Sequence, residues 1–267
     1  MVEPADDTTA SGVAPPREPL IRFAGVQKRF GEKVIYEDAT LDIYPGETIT
    51  ILGGSGTGKS VLIKMLIGLL RADAGSIQAF GKEVTRLGEP GLLEVRTRIA
   101  MLFQSGALFD SLTVEQNIKY PLREHRWGTD KEMETRVAEV LEMVGMAGSQ
   151  KLKPAQLSGG MRKRVGLARA IAIQPEVILY DEPTTGLDPI NVRRINGLIL
   201  SLQAKLGVTS IVVTHDMDSC FTVSDRIAML HERRIAFVGT ADETQQCDIP
   251  YVREFVRGGK GTLDQDL

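Results

Sequence analysis

Apolar residues along this chain follow three rhythms, and each predicts a different element. In IRFAGVQKRF (21–30) and VIYEDATLDIYPGE (34–47) apolar and polar positions alternate, which predicts half-buried antiparallel strands ending at a Pro45-Gly46 turn. In TITIL (48–52), EVILY (176–180) and TSIVVT (209–214) the apolar run is continuous, the pattern of parallel strands buried on both faces. The third rhythm is helical. TDKEMETRVAEVLEMVG (129–145) puts Met133, Val137, Val140, Leu141 and Val144 on one face, opens on a Thr129/Glu132 capping box and stops at Gly145. TVEQNIKYPL opens the same way, with Thr113 and Gln116. RIAMLHERRIAFVG (226–239) reads as a hairpin.

VLIKMLIGLL (61–70) is the most apolar run, but Lys64 interrupts it and Arg71 follows it, so it predicts a buried helix rather than a bilayer span. Together the elements predict an α/β fold over residues 20–240: an antiparallel β layer, a parallel α/β core, and a helical insertion at about 105–165. Residues 1–19, rich in Pro, Ala, Thr and Asp, read as a disordered leader without the features of a signal peptide. The segment 241–267 is a polar tail whose one amphipathic stretch, YVREFV, either docks on a neighbouring subunit or covers its own core.

Composition changes this picture little. With 42% hydrophobic and 25% charged residues and a net charge of −3, the chain has no general attraction for nucleic acid or anionic lipid. Cys220 and Cys247 lack metal or CxxC spacing, which fits a reduced, cytosolic setting with Cys220 as a small core residue.

The candidate chemistry begins where TITIL runs into GGSGTGKS (53–60), a match to G-x-x-x-x-G-K-[ST] with a strand before it and an apolar helix after it. Gly53, Gly54, Ser55, Gly56, Thr57 and Gly58 let successive backbone N–H groups face a phosphate chain, and the helix that follows, through Val61, adds its positive dipole end. Lys59 places a charge between the terminal phosphates, and Ser60 offers a hydroxyl to Mg²⁺. A second metal-directed oxygen comes from Asp181 in VILYDEP, at the end of a buried strand. Glu182, one residue on, is the candidate that orients and polarises the attacking water. His215, at the end of another apolar strand, either reaches the γ-phosphate from the opposite side or is a satisfied core histidine. Gln104 in MLFQSG either senses Mg²⁺ and the attacking water or simply ends a strand.

A second glycine motif, LSGGM (157–161), precedes the basic amphipathic run RKRVGLARAI. The order P-loop, Gln104, LSGGM, VILYDE, the GLD that ends at Asp188, and His215 resembles the nucleotide-binding subunit of ABC transporters over roughly residues 20–240. That resemblance makes Gln104 the Q-loop glutamine, Asp188 the D-loop aspartate, His215 the switch histidine, and Phe30 in KRFG the aromatic that stacks on adenine. It also explains the second motif: in the family, the signature of one subunit faces the ATP held by the P-loop of the other. Ser158, Gly159 and Gly160 would then offer N–H groups to an ATP bound across an interface, implying a homodimer, or pairing with a similar chain, with two ATPs. Met161 and Val61 depart from the usual Gln and Thr, and neither removes a donor or charge with an assigned role.

The wording of residues 101–125, of SGGMRKRVGLARAIAIQPEVILYDEPTTGLDPI and of YVREFVRG resembles the ATPases of Mla-type, MCE-associated phospholipid transporters of Gram-negative bacteria. The resemblance implies ATP and Mg²⁺ as cofactors and an integral membrane permease, an MCE-domain protein and a STAS-domain protein as partners. It implies a place on the cytoplasmic face of the inner membrane and no nucleic-acid partner. The alternatives are an ABC importer for amino acids or another small solute and a soluble ABC ATPase of DNA maintenance or the ribosome. The soluble classes carry a long coiled coil between P-loop and signature, or two cassettes; here the gap runs only from Lys59 to Ser158 and there is one cassette.

Overall fold

The computed structural model describes residues 17–257; most of the leader and the last ten residues of the tail lie outside the described residues. Strands β1 (Ile21–Phe30) and β2 (Lys33–Ile43) pair antiparallel and β3 (Thr48–Leu52) runs into the glycine loop, from which α1 (Lys59–Leu66) emerges. Then come β4 (Ala74–Ala79), β5 (Lys82–Glu83), α2 (Glu89–Arg98) and β6 (Ile99–Leu102). The insertion supplies α3 (Val114–Glu124) and α4 (Asp130–Met143), each opened by the capping box expected at Thr113 and Thr129. After α5 (Gly159–Ile171) the chain alternates through β7 (Val177–Asp181), α6 (Pro189–Leu206), β8 (Thr209–Thr214) and α7 (Met217–Val223). The hairpin β9 (Arg226–His231) and β10 (Arg234–Gly239) and the short helices α8 (Ala241–Gln245) and α9 (Pro250–Val256) complete it.

The strand order is β5-β4-β1-β2-β10-β9-β3-β8-β7-β6. The first four form the antiparallel layer, while β9, β3, β8, β7 and β6 are all parallel. A single register pair, Arg234 with Asp38, joins the two parts. The continuous apolar runs are explained by burial on two sides. Val177 and Leu179 of β7 pack into the core shared with α1 and the antiparallel layer, while Ile178 and Tyr180 point into a second core under α3, α4, α5 and α6.

Two expectations are refined. The helix expected over 61–70 ends at Leu66; the chain turns at Gly68, whose φ is 68°, and leaves Leu69 exposed. The YVREFV segment covers its own core: Val252 of α9 is buried with Leu52, Cys220, Ile227 and Met229. Tyr251 beside it stacks on His231 at 3.6 Å and donates its hydroxyl to the Leu230 carbonyl at 3.1 Å.

Candidate nucleotide site

The parallel strands β3, β8, β7 and β6 all point their C-terminal ends at one cleft, the place where open α/β sheets bind ligands. Ser55, Gly56, Gly58, Lys59, Ser60 and Val61 line one side of it, with Gln104 from the end of β6, Glu182 and Thr185 beyond β7, and His215 beyond β8. The cleft volume is about 370 Å³.

The loop is held from β2. Gly58 has φ 104°, and a Cβ there would sit 2.4 Å from Ile35 Cγ2, so the position excludes any side chain. The buried Tyr36 hydroxyl donates to the Gly58 carbonyl at 2.7 Å, fixing the peptide that starts α1.

Lys59 is buried, and its Nζ donates to the carbonyls of Gly53 and Gly54 at 2.9 and 3.0 Å. It also lies 3.7 Å from Glu182 Oε1. Burial pushes its pKa down, and the Glu182 carboxylate pulls it back up. Ser60 Oγ donates to Asp181 Oδ1 at 2.6 Å, so the hydroxyl and the carboxylate assigned to Mg²⁺ are already adjacent. Hard oxygen donors of this kind, with phosphate oxygens and water to complete the shell, suit that ion.

Asp181 and Glu182 diverge because the backbone turns between them. Asp181 ends β7 in register with Val213, whereas Glu182 takes φ 50° while its N–H still donates to the Val213 carbonyl at 2.9 Å. Its carboxylate accepts from Thr185 Oγ1 at 3.0 Å and meets His215 Nδ1 at 3.0 Å. With the proton on Nδ1, the imidazole donates to the carboxylate and leaves Nε2 as the other polar end of the ring. His215 is more than half exposed and so is not a core histidine.

Other sequence candidates gather elsewhere. Ser158 caps α5, its hydroxyl accepting from the Met161 N–H at 3.2 Å, and no acidic residue occupies the first turn of that helix. Asp188 caps α6, accepting from the N–H groups of Ile190 and Asn191, both at 3.0 Å. The two helix starts are neighbours: a Cβ on Gly160 would fall 2.8 Å from the Asn191 side chain, which itself donates to Asp188. Ser158, Gly159 and Asp188 thus share an exposed surface above the buried Gly160, and none of the four lines the P-loop cleft. Thr57 faces a separate hollow with Lys33 and His231. Phe30 is half exposed at the end of β1, with Lys28 Nζ 5.1 Å from its ring centroid. Sequence reasoning overlooked Tyr36, Thr185 and Lys163. The last is a buried lysine within an apolar helix face, an anomaly that was visible in the amphipathic pattern.

The family model for the ABC transporter matches residues 36–185, more than half of the chain. The chain belongs to the ABC transporter family. It is 43% identical over 238 residues to the probable ribonucleotide transport ATP-binding protein mkl of Mycobacterium leprae, covering 89% of this chain and 69% of that one. It is 39% identical over 239 residues to the intermembrane phospholipid transport system ATP-binding protein MlaF of Escherichia coli K12, covering 90% and 89%. Among solved structures it resembles cbiO1 of Clostridium perfringens, part of the transporter complex cbiONQ, with TM-score 0.80 and 27% identity over 91% of this chain and 97% of that one. It also resembles the ATP-binding cassette MJ0796, solved as a dimer in a post-hydrolysis state with ADP and Pi, with TM-score 0.76 and 30% identity over 83% and 98%. This ABC cassette is an ATPase.

Proposed function

We propose that two copies of this chain close on two ATPs and drive phospholipid transport through a separate membrane permease. The observation that carries the dimer is the split site. Lys59, Ser60, Asp181, Glu182 and His215 are grouped around one cleft, while Ser158 and Gly159 of LSGGM and Asp188 are exposed on a different surface. A helix N-terminus with no acidic residue in its first turn attracts an anion, and a second copy would bring it one.

Within each cleft, Lys59 exchanges the loop carbonyls and Glu182 for the β- and γ-phosphates. Ser60 and Asp181 would hold Mg²⁺, with Gln104 as a further candidate ligand, and the ion would supply charge neutralisation on the phosphate oxygens. Released from Lys59, Glu182 accepts a hydrogen bond from the attacking water and takes its proton as the water oxygen bonds to the γ-phosphorus and the bond from that phosphorus to the β–γ bridging oxygen breaks, with ADP as the leaving group. His215 holds the Glu182 carboxylate in place through Nδ1. Phe30 stacks on the adenine.

The phospholipid cargo is supported by the near end-to-end match with MlaF. The higher identity to mkl favours ribonucleotide as the second reading. Among the described residues no helix is long and apolar enough to cross a membrane. The match with an intermembrane phospholipid transport ATP-binding protein supports a place on the inner face through the permease, with MCE- and STAS-domain proteins as further partners. The test is purification of the tagged chain from solubilised host membranes, with mass spectrometry of proteins and bound small molecules. A multi-span permease with an MCE-domain protein and phospholipid supports the reading. A permease carrying nucleotide cargo, or no membrane partner, refutes it.

A further inference from the structure

Glu182 occupies a conformation that two steric rules disfavour. Its φ is 50°, in the left-handed region, and the next residue is Pro183, which pushes its predecessor toward extended backbone. Such a conformation persists only where the surroundings hold it. One side chain does so from across the molecule. Lys163 is buried on α5, and its Nζ donates to the carbonyls of Pro183 and Thr185, both at 2.8 Å, and of Glu182 at 3.3 Å. Three N–H bonds of one ammonium thus meet three carbonyls of a single turn, a demand that no neutral side chain can meet as fully.

The turn so gathered also carries the Thr185 hydroxyl that donates to the Glu182 carboxylate at 3.0 Å. Lys163 therefore acts on both the backbone and the side-chain partner of Glu182. Its helix is held firmly enough to serve as the anchor. Arg169, six residues further on, donates to the carbonyls of Gly106 and Ala107 at 3.2 and 2.9 Å, and a Cβ on Gly166 would lie 2.9 Å from the Gly106 carbonyl oxygen. Burial pushes the Lys163 ammonium down to about 8, with Glu182 opposing the shift.

We propose that Lys163 is a positioning residue for ATP hydrolysis: it holds the 182–185 turn so that the Glu182 carboxylate faces the attacking water. It does so from the helix that begins with Ser158, so one rigid element presents the signature surface at its start and secures the base one and a half turns later. The proposal rests on Glu182 being the base.

The experiment compares wild type, Lys163→Met, Lys163→Gln and Glu182→Gln in the full chain, purified with the membrane proteins that accompany it. Phosphate release and binding of a fluorescent ATP analogue are both measured. Methionine keeps the length and removes every donor; glutamine restores two N–H bonds. We expect kcat of Lys163→Met to fall about ten-fold or more, part of the roughly 10²–10⁴ that general-base catalysis contributes. ATP affinity should stay within about two-fold, because Lys163 touches none of the phosphate-binding loop. Lys163→Gln should recover part of kcat.

A Lys163→Met rate within two-fold of wild type would overturn the proposal while leaving an inactive Glu182→Gln to support the base. So would parallel losses of kcat and ATP binding in both Lys163 variants, the mark of a purely structural role. If Lys163→Met does not fold, Lys163→Gln decides alone: an intermediate kcat at unchanged ATP affinity supports positioning, and a wild-type kcat refutes it. A Glu182→Gln chain that hydrolyses at the wild-type rate would sink the base reading itself.

Discussion

Replacing Glu182 with Gln should uncouple binding from hydrolysis in opposite directions. The side chain keeps its shape, and the amide can still accept from Thr185 and meet His215, so the turn has no reason to move. What is lost is a proton acceptor, and turnover should fall by at least about 10². What is gained is affinity. Glu182 lies 3.7 Å from Lys59, an attraction of roughly 4 kcal/mol at an effective dielectric near 20. Desolvation of the pair offsets much of this, and about 1–2 kcal/mol is a reasonable net cost for ATP to take Lys59 away. Removing the competing carboxylate should therefore tighten ATP binding about ten-fold, since about 1.4 kcal/mol corresponds to one decade. The assay is titration with a fluorescent ATP analogue beside phosphate release, with size exclusion in ATP to detect a trapped dimer. Hydrolysis at the wild-type rate, or ATP bound more weakly than by wild type, would refute the roles of Glu182 as base and as Lys59's resting partner.

Chelation with EDTA should abolish turnover, and Asp181→Asn should raise the Mg²⁺ needed for half-maximal rate about ten-fold, because the Ser60–Asp181 pair loses its charge. Ser158→Ala removes the cap on α5 at a cost of about 1 kcal/mol, so calorimetry should find the melting temperature lower by about 2–4 °C. Tyr36→Phe leaves the Gly58 carbonyl without its 2.7 Å partner and should cost about 1 kcal/mol of stability while raising KM for ATP, read by denaturant unfolding and steady-state kinetics. Burial pushes the Cys220 thiol up to about 12, so mass spectrometry after iodoacetamide at pH 8 should find Cys220 unmodified until the protein unfolds.

Much of the fold was legible in the order of residues because its signals are local. Alternation marks β1 and β2, continuous apolar runs mark β3, β7 and β8, and capping boxes mark the starts of α3 and α4. The phosphate loop is local too, since its chemistry lies in consecutive backbone N–H groups. The helix α6 was legible in principle, for Asp188-Pro189 is a cap followed by a helix-starting proline and Gly207 is its stop.

What the sequence alone determined, then, was which residues have the chemistry: a lysine, a hydroxyl, two successive carboxylates and a histidine at strand ends. Only the tertiary structure decided how they meet. Parallel pairing of β3, β8 and β7 sets Ser60 against Asp181 and His215 against Glu182, contacts across 121 and 33 residues of chain. Packing of α5 carries Lys163 to the turn after β7, while the adjacent starts of α5 and α6 set the signature and Asp188 on a surface of their own. The physical reason is that side-chain periodicity reports which face is buried but not what lies opposite. Hydrogen bonds between distant segments are chosen by packing, and in this chain packing separates the two glycine motifs.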